Sequence, residues 1–81
     1  EARYGEVYAA VMGFLDEAPR SMTVIEALTD TFPITKSPKR YGQHFMDVLQ
    51  ATDCAVWTRE GWKLTDLGRA MFAELQAVKE A

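Results

Sequence analysis

The chain has 81 residues, 48% of them hydrophobic and 26% charged, and carries a net charge of −3. That length and balance fit one globular domain over residues 1–81 and exclude a disordered chain. A single cysteine, Cys54, and a single histidine, His44, exclude an intrachain disulfide and leave no ligand spacing for a metal, while no apolar run nears the roughly 20 residues of a membrane span.

Tyr4, Val7, Tyr8, Val11 and Leu15 recur at three- and four-residue steps, with Met12 and Phe14 beside them. The spacing predicts a first helix over about residues 3–17 with a broad apolar face, stopped by Pro19. Thr23 followed by Glu26 has the spacing of a capping box, in which the hydroxyl accepts from a free N–H and the carboxylate reaches back. A short second helix is therefore expected to run to about Thr31, with Ile25, Leu28 and Phe32 inward and Pro33 closing it.

Ile34-Thr35-Lys36 reads as a turn, and Ser37-Pro38 as the start of a third helix, with Ser as N-cap and Pro in the first position. Tyr41, Phe45, Val48, Leu49 and Thr52 share one side of that helix. Lys39, Gln43, Asp47 and Gln50 share the other, flanked by Arg40, His44 and Met46, the methionine expected to be exposed. Gly42 lowers helix propensity by about 1 kcal/mol against Ala. Its lack of a side chain suits close approach either of the second helix or of a ligand backbone.

After Asp53 the pattern alternates. Ala55, Trp57 and Arg59 fall on one side of a strand, Val56 and Thr58 on the other. Glu60-Gly61 reads as a two-residue turn and residues 62–65 as the return strand, which would pair Arg59 with Trp62 and Trp57 with Leu64. Both tryptophans are then expected to cover the core, with an Arg59–Trp62 cation–π contact. Cys54 reads as a small buried residue at the junction. Thr65 caps a last helix in which Leu67, Met71, Leu75 and Val78 form the apolar stripe, reaching about residue 78 or 79.

The fold class expected is thus mostly α with a small β-hairpin. Helix, helix, helix, hairpin, helix is an order that resembles the winged helix-turn-helix superfamily: a three-helix core, a short two-stranded wing and a C-terminal helix. Two stretches carry the resemblance. Residues 22–28, Met-Thr-Val-Ile-Glu-Ala-Leu, are similar to the opening of the second helix in many bacterial members. Residues 62–69, Trp-Lys-Leu-Thr-Asp-Leu-Gly-Arg, are similar to the segment after the wing in MarR- and PadR-like regulators.

The resemblance implies duplex DNA as the partner, with the third helix in the major groove, for a transcriptional regulator or a targeting domain. Carried over by position, Lys39, Arg40, Gln43, His44 and Asp47 would face the bases. Lys36 and Ser37 would touch phosphate at the helix N-terminus, and Arg59 with Lys63 would supply the wing contact. The chemistry suits the task, since Lys and Arg fit guanine edges and phosphates and Gln fits adenine. The charge distribution agrees in part. Residues 1–30 hold two cations against six acids, residues 31–63 five against three, and residues 64–81 two against three, so the basic part is the middle. A homodimer through the first and last helices is the expected assembly. The alternative is a protein–protein interaction winged helix in a multi-domain assembly, which the negative net charge and short wing favour and which would expose an apolar patch. An enzyme is not expected, because there is no paired-carboxylate face, no nucleophile–base set and no glycine-rich phosphate loop; nor is a cofactor. No signal-peptide pattern precedes the first helix, so a cytoplasmic location is expected. A start at Glu1 rather than Met fits a processed form or a fragment of a longer protein.

Overall fold

The computed structural model describes residues 2–80. A 3-10 turn (Ala2–Tyr4) leads into α1 (Gly5–Glu17), followed by α2 (Met22–Thr29), a second 3-10 turn (Pro33–Thr35), α3 (Gly42–Ala51), the strands β1 (Ala55–Thr58) and β2 (Gly61–Leu64), and α4 (Asp66–Glu80). The architecture is mostly helical with one antiparallel hairpin, compatible with a helix–wing arrangement. No helix of the described residues is long and apolar enough to cross a membrane.

The core forms where α1, α2 and α3 meet and the hairpin covers them. Val7 and Val11 of α1, Ile25 of α2, and Phe45 and Met46 of α3 are fully buried, and Leu15, Leu49, Leu64 and Trp62 are nearly so. Tyr4 and Tyr8 meet the Phe45 ring edge-on, at centroid distances of 5.5 and 5.2 Å, a favoured aromatic geometry. Cys54 and Ala55 are buried at the α3–β1 junction as expected. Met46 is inside, not exposed, because α3 turns positions 42, 45, 46 and 49 toward the core.

Two helix starts differ from expectation. α2 begins two residues earlier than a Thr23 cap requires: Ser21 is extended and its hydroxyl accepts from the Val24 N–H at 3.5 Å. Thr23 is already inside the helix, and Glu26 is released for another bond. α3 does not start at Ser37-Pro38. That peptide is cis, Lys36 and Lys39 bridge across it, and the Arg40 N–H donates to the Thr35 carbonyl at 2.7 Å. These bonds close residues 35–40 as a turn, so Tyr41 is the last extended residue and Gly42 the first helical one. Tyr41, expected inward, is therefore 61% exposed. Of the two readings of Gly42, close helix approach is the one found: a Cβ there would stand 3.1 Å from the Glu26 Cα and 3.1 Å from the Thr29 hydroxyl.

α3 ends in a paired cap. The Cys54 N–H donates to the Leu49 carbonyl and the Asp53 N–H to the Gln50 carbonyl, with Asp53 left-handed at φ 62°.

The hairpin register also differs. Thr58 pairs with Gly61 and Trp57 with Trp62, so the loop is Arg59-Glu60 rather than Glu60-Gly61. Gly61 belongs to β2 at φ 125°, and a Cβ on it would lie 2.7 Å from the Arg20 carbonyl oxygen. The Thr58 hydroxyl donates to the Gly61 carbonyl at 2.7 Å and accepts from the Glu60 N–H at 3.2 Å, which fixes the turn. Arg20, between α1 and α2, exchanges both backbone bonds with Trp62, at 3.0 and 2.8 Å. Trp62 is thereby buried, while Trp57 lies edge-on over it at 5.7 Å and stays 57% exposed. Arg59 sits in the loop and does not stack on Trp62. Guanidinium groups cover rings elsewhere, Arg20 at 3.9 Å from the Phe14 centroid and Arg3 at 5.2 Å from that of Tyr4.

Candidate nucleic-acid interface

α3 turns Gln43, Asp47 and Gln50 outward, all exposed, as the helical spacing requires. The Gln43 amide donates to the Asp47 carboxylate at 2.8 Å, so two of the expected reading groups already engage each other. His44 is not on this face. It is half-buried, with its ring edge-on to Tyr4 at 6.5 Å and to Phe45 at 5.2 Å.

The preceding loop holds the densest cations. Lys39 bonds the Asp30 carboxylate and lies 5.1 Å from the Tyr41 ring centroid. That hydrogen bond, reinforced by the charges of Lys39 and Lys36, holds the Asp30 carboxyl below the ordinary aspartate value. The same bond raises the Lys39 ammonium above its own. Lys36, Ser37 and Arg40 are exposed, and Arg40 makes no ion pair among the described residues.

The phosphate seat expected at the start of α3 is not open. Ser37 lies five residues upstream of Gly42, and the Gly42 N–H donates to the Glu26 carboxylate at 2.7 Å. A helix N-terminus favours an anion because its N–H groups are unpaired and its dipole is positive there. Glu26 supplies that anion from α2. Arg59 is exposed at the hairpin tip beside Glu60, and Lys63 is half-buried on β2 opposite Val56. Neither forms an ion pair among the described residues.

Chain order hid the groups that temper this surface. Glu26 and Asp30 lie 16 and 9 residues from the groups they bond, and no local pattern announces either contact. Among the described residues, no group of three or more His, Cys, Asp or Glu side chains could hold a metal ion.

A second surface lies on α4. Leu67, Met71, Leu75 and Val78, read as an apolar stripe, are 50%, 42%, 37% and 76% exposed. The helix attaches instead by its next face. Gly68 touches the Cys54 carbonyl, Phe72 covers Gly13, and Arg69 reaches Asp16 at 3.2 Å. Beside the stripe runs an apolar groove of about 400 Å³ between α1, α3 and α4, lined chiefly by Tyr8, Met12, Val48, Leu49, Met71 and Leu75.

The chain matches no family model, and no curated protein or solved structure matches it.

Proposed function

We propose that this chain is a winged-helix module that binds duplex DNA, with α3 as the reading helix. The observation that carries the reading is the all-polar outward face of α3, Gln43, Asp47 and Gln50, preceded by a loop that exposes Lys36 and Arg40. Arg59 and Lys63 of the hairpin add two further cations. Glu26 and Asp30 restrict the contact to side chains of the loop and of mid-α3, so recognition would not use the backbone N–H groups of the helix start.

The test is anisotropy of a labelled random-sequence duplex across salt concentrations. Four phosphate contacts, one each from Lys36, Arg40, Arg59 and Lys63, give a slope of log K against log salt of about −3.6, a loss of roughly 150-fold between 50 and 200 mM. Arg40→Gln then reduces the slope by about one unit. No binding at low salt by the folded protein refutes the proposal.

A protein-interaction role is the second reading, and the exposed α4 stripe favours it, because contiguous apolar surface of this kind marks an association site.

A further inference from the structure

We infer that Asp47 positions the Gln43 side chain so that α3 selects adenine in the major groove. The inference rests on the duplex-binding reading and deepens it. It starts from the Gln43–Asp47 hydrogen bond, which joins two exposed residues one turn apart on the outward face of α3. A carboxylate only accepts, so the Gln43 amide turns its nitrogen to Asp47 and its oxygen away. The bond runs from Nε2 to Oδ1 at 2.8 Å. One amide N–H is then spent. Gln43 still presents one N–H beside one carbonyl oxygen, in a fixed order. The backbone beneath the pair is fixed too. Phe45 and Met46 are fully buried on the opposite side of α3, and Glu26 holds the Gly42 N–H at 2.7 Å. Asp47 forms no ion pair among the described residues, so no cation draws it from Gln43.

The four bases answer this pattern differently. In the major groove adenine offers an acceptor, N7, next to a donor, the N6 amine. That edge is the complement of one N–H beside one oxygen. Guanine offers two acceptors, N7 and O6. A Gln43 N–H given to N7 would set the amide oxygen against O6. A free amide would relieve that clash by turning over. Here, turning over would set the oxygen against the Asp47 carboxylate and break their bond. Thymine offers O4 and a methyl group, and cytosine its N4 amine, so each satisfies one of the two Gln43 groups and leaves the other without a partner. A polar group left unpaired on losing its water weakens the complex. Asp47 thus converts a side chain that accommodates several bases into one that prefers adenine. It does so against the general pull of the surface, since its charge repels the phosphates that Lys36 and Arg40 attract. Specificity and overall affinity therefore respond in opposite directions when Asp47 is removed.

The experiment has one arm without DNA and one with it. In the free protein, the Gln43 side-chain amide signals are followed by NMR. Asp47→Ala is expected to move them, and Asp47→Glu, which keeps an acceptor-only group, to restore them toward the parent positions. Both substitutions are at an exposed site. In the second arm, a pool of duplexes randomised over one helical turn is enriched on each protein. The parent is expected to bind about tenfold more tightly with adenine than with guanine at one position. Placing 7-deaza-adenine there, which lacks the N7 acceptor, removes that preference, as does Gln43→Ala. Asp47→Ala is expected to lose the preference while binding the random pool as tightly as the parent or more so, and Asp47→Glu to regain it. Three results would overturn the inference and leave duplex binding standing: side-chain amide signals unmoved by Asp47→Ala, an adenine preference that survives Asp47→Ala, or pool binding with no adenine preference that depends on Gln43. Absence of binding to the random pool at low salt by the folded parent would overturn both.

Discussion

Replacing Gly68 by Ala should loosen the seat of α4. A Cβ there would stand 2.1 Å from the Cys54 carbonyl oxygen, where ordinary contact begins at 3.4 Å, so the first turn of α4 must back away by more than 1 Å. The same oxygen accepts the Thr65 N–H at 3.0 Å, and that bond lengthens with the retreat. Overpacking of this kind costs about 1–3 kcal/mol, and the weakened hydrogen bond adds up to about 1 kcal/mol. The gain in helix propensity returns about 1 kcal/mol. The net loss is about 0–3 kcal/mol, and at about 4–8 °C per kcal/mol for a domain of this size a central value near 1.5 lowers Tm by roughly 6–12 °C. Gly5→Ala is the control, since no atom lies within 4 Å of the Cβ it would introduce. It should be neutral or stabilise by up to about 1 kcal/mol. Urea and thermal melts followed by circular dichroism measure both. A Gly68→Ala protein that melts at or above the parent temperature would refute the close approach of α4 to Cys54.

Other substitutions test the remaining contacts. Glu26→Ala removes the carboxylate that accepts the Gly42 N–H and should cost about 1.5–3 kcal/mol in urea melts, as for a hydrogen bond to a charged group. Asp53→Gly relieves a left-handed residue and should stabilise by about 1 kcal/mol, read from the same melts. The Asp30 carboxyl lies below its ordinary value because of Lys39, so the pair's contribution is present at neutral pH and is lost as pH falls through that lowered value. Lys39→Met should therefore raise the Asp30 midpoint in a carboxyl-carbon NMR titration, and an unchanged midpoint would show that the pair does not form in solution.

Element types and order could be read from the sequence because each rests on local periodicity. The 3.6-residue recurrence of α1 and the alternation around Trp57 need no tertiary information. Starts and registers were less legible, for they depend on contacts between distant residues. Ser37-Pro38 has the local chemistry of a helix start, but the Arg40-to-Thr35 hydrogen bond turns that segment into a loop. Gly61 suits a turn by its conformational freedom, yet the structure uses that freedom to press β2 against Arg20. The cations of the candidate interface were visible, whereas the acids beside them, Glu26 and Asp30, arrive from α2. The apolar stripe of α4 was visible as well, but not which way it faces. Gly68 marks the attached side in the structure, since a Cβ there would meet the Cys54 carbonyl.

The Arg20 bridge also bears on how the hairpin behaves in a crowded solution. Its N–H and carbonyl occupy the outer edge of β2 at Trp62, so a strand from another molecule cannot zip along that side. Only β1 keeps an edge without a second strand among the described residues, and it is four residues long. Short, half-covered edges are a recognised defence against edge-to-edge aggregation. One residue between two helices thus protects a sheet to which it scarcely belongs, and a chain cut or loosened at Arg20 would expose a sticky margin around the hairpin's aromatic pair.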